Sequence, residues 1–416
     1  MNFKRINKYA AASKLIPMAV IVAVVFVLYF GMATGWTFHP PWVIDYVNAM
    51  ALSVRSFRLD IPNPPMTYDL ISYNGRWYIP WGLLAPLVHI PLQLLVGGRF
   101  VPPIYTGLLF GSLTVGTVWW ALRRLRDDWF PRQSVWMPLF GTFLYAFGTM
   151  QFYVSTVGSV WYVNQAVSTF IGVFGVAVIL KKKRSIADYI CSVACCSLTL
   201  LGRPTLVFLV IIPFFLFLYD TKQHASDRRK IVWLILPIMF TTALFLFYNA
   251  ARFGNPFETG YRYIQEDPDL ARNRQRYGMF SVFHAPRNLW HMTVASPHFF
   301  WKKGPVIDID LAGNSIFVLS PLLALAFCTL PWVWSKTRTY THVIMELWLG
   351  IAATALPTIL YYSTGWMQFG YRYALDFSFL LIILIYFWSA GRIRWWMVPF
   401  FLYTLWVNYT GIRLLQ

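Results

Sequence analysis

The residues of this 416-residue sequence best suited to chemistry are two aspartates and a scattered set of basic groups. Asp69 stands in TYDLISYNGRWYIPWG (67–82), among aromatics and just before an apolar run. Asn74-Gly75 is a strong signal for a tight hairpin turn. A carboxylate held there can accept a proton from a substrate hydroxyl, which is general-base work. The alternative is a surface hairpin in which Asp69 pairs with Arg76. Trp77, Tyr78 and Trp81 have faces on which a sugar ring can stack, and aromatics also anchor chains at membrane interfaces. Asp45 opens PPWVIDYVNAMALSVRSFRLDIPNPP (40–65) at the first turn of an amphipathic stretch. A carboxylate is favoured there by the helix dipole alone, so Asp45 reads as a base or as a helix-start group.

The cations fall into the same kind of setting. Arg203 lies in LLGRPT, at a turn between two apolar segments. Arg372 lies in GWMQFGYRYALDF, with Trp366 and several other aromatics around it. A guanidinium embedded this way needs an anion, and its fork suits a pair of phosphate oxygens. The competing reading for Arg372 is an ion pair with Asp376, one helical turn on. Arg252 and Arg262 lie in FYNAARFGNPFETGYRY (247–263), and Lys302 and Lys303 in WKKG (301–304). Such a set suits a lipid-linked phosphate or ordinary headgroups. His284, His291 and His298 repeat at intervals of seven without flanking cysteines or the closer spacing that metal ligands favour, so no metal site is assigned.

The elements that must position these groups are transmembrane. The composition is 58% hydrophobic and only 12% charged, against about a quarter charged in soluble proteins. Apolar runs recur at 15–35, 102–122, 134–153, 160–180, 186–201, 204–219, 231–250, 313–334, 343–362, 373–390 and 395–412. A shorter run, 82–97, contains Pro86 and Pro91 and reads as a partial, re-entrant or interfacial element. The expected fold is therefore an all-α polytopic membrane protein, with about eleven transmembrane helices plus one partial element. One transmembrane domain covers residues 1–416. The four cysteines sit inside apolar runs as small core residues. The basic N-terminus leads into an apolar run too long for a signal-peptide core, which reads as a retained first helix.

Basic residues choose the orientation. With the N-terminus in the cytoplasm and 82–97 not crossing, 20 of the 35 Lys and Arg fall in the N-terminal tail and five short cytoplasmic loops. The formal charge of +19 is thus a topology signal, and no nucleic-acid partner is expected. Two long loops, 36–81 and 251–312, then lie on the extracytoplasmic side. They hold nine of the 16 acidic residues. An ion-coupled transporter needs ionisable groups near the midplane, so this placement favours chemistry at one membrane face.

In order along the chain, the first helix and its long loop with Asp45 and Asp69, then YNGRWYIPWGLLAPL, LGRPTLVFLVIIPFF, FYNAARFGNPFETGY, GNSIFVLSPLLAL and GWMQFGYRYALDF, resemble the GT-C superfamily of integral membrane glycosyltransferases. Within it the sequence is similar to the bacterial family 39-like group, akin to protein O-mannosyltransferases and lipid A aminoarabinose transferases. The resemblance implies an enzyme that moves a hexosyl or pentosyl group from a polyprenyl phosphate to an acceptor hydroxyl at the extracytoplasmic face, with inversion. It implies a first-loop carboxylate as base, and cations that stabilise the departing lipid phosphate. The acceptor is a glycan, lipid or protein, and the location is a bacterial inner membrane. Many members carry paired acids early in the first loop, whereas Asp45 follows Val43 and Ile44. Where relatives often have a later acidic residue, STVGSVWYVNQAV (155–167) offers Asn164 and Gln165, which gives a divalent metal no support. Asp45 and Asp69 both remain candidate bases, with Asp69 favoured beside its Gly-Arg-aromatic turn. An O-antigen polymerase or ligase, or a lipid or polysaccharide transporter, are the alternatives.

Overall fold

The computed structural model describes residues 3–38, 40, 43–223, 228–300, 306–335, 340–365 and 367–415. All twelve predicted apolar segments are helical. The first long helix is α1 (Phe3–Thr34), and the first loop then contributes α2 (Val47–Arg55) and the hairpin β1 (Ile71–Tyr73) and β2 (Arg76–Tyr78). The partial element is α3 (Leu84–Leu95), followed by α4 (Ile104–Trp129), α5 (Trp136–Gly148), α6 (Met150–Thr156), α7 (Val160–Ile179) and α8 (Ile186–Leu198). A 3-10 stretch, Pro204–Val210, runs into α9 (Ile211–Gln223), and α10 (Ile231–Phe253) leads to the second loop. That loop carries α11 (Pro268–Tyr277), α12 (Ala285–Thr293) and the short strands β3 (His298–Phe300) and β4 (Val306–Asp308). The chain ends with α13 (Ile316–Leu319), a 3-10 stretch Pro321–Trp334, α14 (Thr341–Leu360), α15 (Leu375–Trp388) and α16 (Met397–Leu415). Among the described residues, six helices are long and apolar enough to cross a membrane. This is an integral membrane protein.

Two departures from the expected spans have physical causes. The segment 134–153 is broken at Thr149, whose backbone is extended. The Thr149 hydroxyl donates to Tyr145 O (2.7 Å) and accepts from Gln151 N (3.2 Å), closing α5 and opening α6. The 14 residues of Pro321–Trp334 wind as a 3-10 helix. At about 2 Å per residue they reach roughly 28 Å, close to the thickness of a bilayer core, where an α-helix would reach only about 21 Å.

Helix α15 lies at the centre, with every residue from Leu375 to Phe387 buried. Helix α4 packs on α1, α5, α6 and α7, and α14 packs on α15 and α9. Helix α10 instead turns Trp233, Leu236, Met239, Phe240 and Phe247 outward. Exposed apolar side chains over a full-length helix suit a lipid-facing surface. The amphipathic α2 faces inward: Tyr46, Val47 and Met50 are buried in a satellite core with Leu70, Ile79 and Leu84.

The first loop is tied down where it leaves the hairpin. A Cβ on Gly82 would meet Leu201 O at 1.8 Å and Leu201 C at 2.4 Å, both rigid backbone. Gly82→Ala is therefore expected to cost about 1–3 kcal/mol or more by overpacking. Thermal unfolding of the purified variant checks this; an unchanged midpoint would deny the close approach.

Candidate active site

The site is assembled by the pairing of the two long loops. Asn74 (φ 49°) and Gly75 (φ 71°) form the left-handed turn that the Asn-Gly signal predicts, and Ile71, Ser72 and Tyr73 pair with Tyr78, Trp77 and Arg76. Just before this hairpin, Asp69 is itself left-handed at φ 60°, a conformation that aspartate tolerates better than most residues. Its N–H donates to Gln265 O (2.6 Å), and Gln265 N–H donates to Leu70 O (2.8 Å). Ile71 and Ile264 continue the contact as an antiparallel bridge. The Tyr46 hydroxyl, from the start of α2, donates to Tyr68 O (2.6 Å) and fixes the approach from the other side.

The Asp69 carboxyl is thereby held away from water. Burial, reinforced by the negative charge of Glu266, pushes its pKa up to about 7, while Arg372 and a hydrogen bond with Trp161 pull the other way. The Glu266 side chain is 2% exposed. It accepts from Arg274 Nε (2.6 Å) and from the Tyr362 hydroxyl (2.5 Å).

The cations arrive from the start of α15 and from the turn after α8. The Arg372 guanidinium lies over the rings of Tyr162 (4.8 Å) and Tyr373 (5.2 Å), and Nε has no hydrogen-bond partner. Among the described residues, no carboxylate lies within ion-pair distance of Arg372. Asp376 pairs with Arg203 instead, accepting Nε on both oxygens (2.7 and 2.8 Å). The Thr205 hydroxyl (2.7 Å) and Gln165 Nε2 (3.2 Å) complete the shell of Asp376. The guanidinium of Arg203 also lies 5.0 Å from the Tyr373 centroid, so one ring serves both arginines. Tyr261 ties the anionic and cationic parts together. Its pKa is pushed up to about 12, first by burial, and its hydroxyl feels the charges of Asp69 and Arg203.

The other predicted residues fall elsewhere or take structural parts. Asp45 accepts from Val47 N (2.8 Å), Asn48 N (3.1 Å) and Asn48 Nδ2 (2.6 Å), the helix-start arrangement. Burial pushes its carboxyl up, against those hydrogen bonds. Arg76 is exposed and forms no ion pair with Asp69. Tyr78 is buried edge-on to Phe253. Arg252 is a clamp: it donates to Ile79 O (2.8 Å) and Asn249 Oδ1 (2.9 Å) beneath the hairpin. Arg262 pairs with Glu258. Lys302, Lys303 and Trp366 lie outside the described residues. Two of the three spaced histidines contact backbone carbonyls, His284 that of Gly278 (3.0 Å) and His291 that of Gly313 (2.9 Å). Among the described residues, no three His, Cys, Asp or Glu side chains converge as a metal site. The two oxygens of Glu266 each accept one hydrogen bond, from Arg274 and from Tyr362.

Comparison with solved structures gives the architecture a name. The archaeal oligosaccharyltransferase AglB from Archaeoglobus fulgidus, in complex with an inhibitory peptide and a dolichol-phosphate, aligns at TM-score 0.51 and 11% identity, over 96% of this chain and 55% of that one. ArnT from Cupriavidus metallidurans, bound to undecaprenyl phosphate, aligns at TM-score 0.49 and 14% identity, over 92% of this chain and 61% of that one. The chain has a GT-C fold. It spans a little over half the length of these neighbours. No protein-family model matches the sequence, and neither does any curated protein.

Within the GT-C fold, several residues of the site escape sequence reading. Glu266 sits in QEDPDL, where its neighbour Asp267 caps α11, so the run reads as a helix start. Trp161 and Tyr162 open α7 and look like interface aromatics. Their common signal is position, at the outward ends of segments whose loops carry the charged residues.

Asp69 sets a pH dependence of stability. In the unfolded chain its carboxyl titrates near the ordinary 3.8, and in the folded chain near 7. The folded state therefore binds more protons across that window, and stability is lost as the pH rises through it. Asp69→Asn keeps the shape and tolerates positive φ. Its unfolding temperature is expected to exceed the parent's at pH 8 and to match it near pH 4. An equal difference at both values would place the carboxyl at its usual pKa.

Proposed function

We propose that this chain is a membrane glycosyltransferase that moves a sugar from a polyprenyl-phosphate donor to an acceptor hydroxyl at the extracytoplasmic face, with inversion. The observation that carries the reading is a proton-accepting carboxyl, Asp69, within electrostatic reach of a buried guanidinium, Arg372, that has no carboxylate of its own. Asn164, Gln165 and the tyrosines give the surroundings further hydrogen-bonding capacity. The GT-C fold, and the dolichol-phosphate named with AglB, support a donor of this class.

In this reading Asp69 takes the proton as the acceptor oxygen attacks the anomeric carbon. The bond from that carbon to the phosphate oxygen breaks on the opposite face, and the sugar passes through an oxocarbenium-like state. Charge grows on the departing lipid phosphate, where Arg372, and the face of Arg203 turned away from Asp376, stabilise it. Tyr162 and Tyr373 hold the Arg372 guanidinium in place before donor arrives. Asp45, with its oxygens engaged at the start of α2, supports the loop and is not the base. The chain sits in a bacterial inner membrane as one unit, with its N-terminus in the cytoplasm.

Transfer is measured as lipid phosphate released from a panel of polyprenyl-phosphate sugars. Asp69→Asn is expected to lower kcat by about 100-fold or more, the ordinary worth of a general base. Asp45→Asn is expected to act through stability, with kcat largely kept in the folded fraction. Full activity in Asp69→Asn would remove the base. Arg372→Ala is expected to weaken donor binding. The parent's rate should rise with pH through about 7, where Asp69 ionises. Glu266→Gln removes a neighbouring charge and is expected to shift that limb to lower pH. Sidedness is tested separately: single cysteines at Asn74 and Lys183, in a background without native cysteines, should label from opposite faces.

A further inference from the structure

The end of the bundle opposite the candidate active site carries a charged cavity. The KKKR run (181–184), the end of α9 and Lys230 at the head of α10 enclose about 430 Å³, lined in part by Lys182, Lys183, Arg184, Tyr189, Asp220 and Lys230. Its inner wall is a closed network. The Arg184 side chain is 2% exposed and donates through Nη1 to Asp220 Oδ2 (2.8 Å) and through Nε to Ile179 O (2.8 Å). The Tyr189 hydroxyl donates to the same Asp220 oxygen (2.5 Å). The charge of Asp220 is therefore answered inside the wall.

The nearby carboxylates are occupied as well. Asp188 binds Lys181 Nζ (2.6 Å) and closes the capping box of α8 with Ser185. Asp128 accepts the backbone N–H of Lys182 (2.9 Å). Among the described residues, the ammonium groups of Lys182, Lys183 and Lys230 have no carboxylate within ion-pair distance. The Lys182 ammonium reaches only the Trp129 ring, 5.6 Å from its centroid. The named lining thus sets four cations against one carboxylate, and that carboxylate is already paired.

We propose that this cavity binds a phosphate group, carried by an anionic lipid headgroup or by a free phosphate ester. Three flexible ammonium groups suit a multiply charged anion approached from several directions. A planar carboxylate would be better served by a guanidinium fork, and that of Arg184 is already used. The volume falls in the ordinary range for small-ligand sites, about 300–1,000 Å³. Basic hollows between helices at a membrane boundary recognise phosphorylated headgroups by these means. Lysines that only set topology would bind no anion saturably, and this separates the two roles.

The test uses the full chain in nanodiscs of phosphatidylcholine, independent of any transfer assay. One arm titrates phosphatidylglycerol into the bilayer, and the other adds glycerol phosphate or inorganic phosphate to the buffer. Native mass spectrometry and thermal unfolding read the result. Saturable binding of one ligand per chain is expected in at least one arm, and the responding arm names the source. Lys182→Gln/Lys183→Gln/Lys230→Gln together should weaken it by roughly tenfold or more, with the ligand-free unfolding temperature unchanged because all three side chains are exposed. Lys183→Glu alone should act in the same direction, which keeps the test open if the triple variant folds poorly. Arg392→Gln/Arg394→Gln should keep binding. Absence of saturable binding in both arms, unweakened binding by the triple variant, or an equal loss in the Arg392/Arg394 variant would overturn the site.

Discussion

Two backbone hydrogen bonds, Asp69 N–H to Gln265 O and Gln265 N–H to Leu70 O, hold the arrangement together. They join loops that lie almost 200 residues apart in sequence. Without them neither loop has a reason to place its acidic residue beside the other. With Asp69 left-handed, the chain pairs with residue 265 and then turns into β1. Arg252 supports the same assembly from below through the carbonyl of Ile79. Each side chain named at the site is positioned relative to this seam.

The aromatic surroundings set the strength of the charges. Tyrosines 162, 261, 361, 362 and 373 displace water around Arg372, Arg203, Asp69 and Glu266. In such a medium, charges interact more strongly than in water and are costly when unmatched. Arg203 is matched by Asp376 and Glu266 by Arg274. Arg372 and Asp69 are left to each other at longer range, and the carboxyl answers by holding its proton up to about pH 7. A matched pair resists change on binding. An unmatched cation and a carboxyl poised near neutrality are the two groups whose state an incoming anion and hydroxyl can alter.

The helical segments were legible because the bilayer demands long apolar runs, and no other pattern competes with that signal. The hairpin was legible too, since Asn74-Gly75 encodes its own turn. The split at Thr149 was not, because a single threonine among apolar residues looks like any other span residue until Tyr145 and Gln151 are seen to share its hydroxyl. For Asp376, helical spacing makes only a local partner visible in sequence, Arg372 one turn back, as one of two readings open for that arginine. The true partner, Arg203, is brought in by tertiary packing that no spacing records. In sequence, Asp69 is favoured over Asp45 only by the Gly-Arg-aromatic turn beside it. What separates them is how many N–H groups each carboxylate meets, and that depends on where α2 begins.

The interior between the two charged ends bears on what the fold can do. Helix α15 runs down the middle, and beyond Asp376 its buried residues are apolar except for Ser378 and Tyr386. Glu346, six residues into α14, is a buried carboxyl with one oxygen unpartnered. It lies in the first turns of a helix that starts at the basic end, far in sequence from the loops. The ionisable residues at the Asp69 seam and those around Arg184 lie at opposite ends of this apolar column.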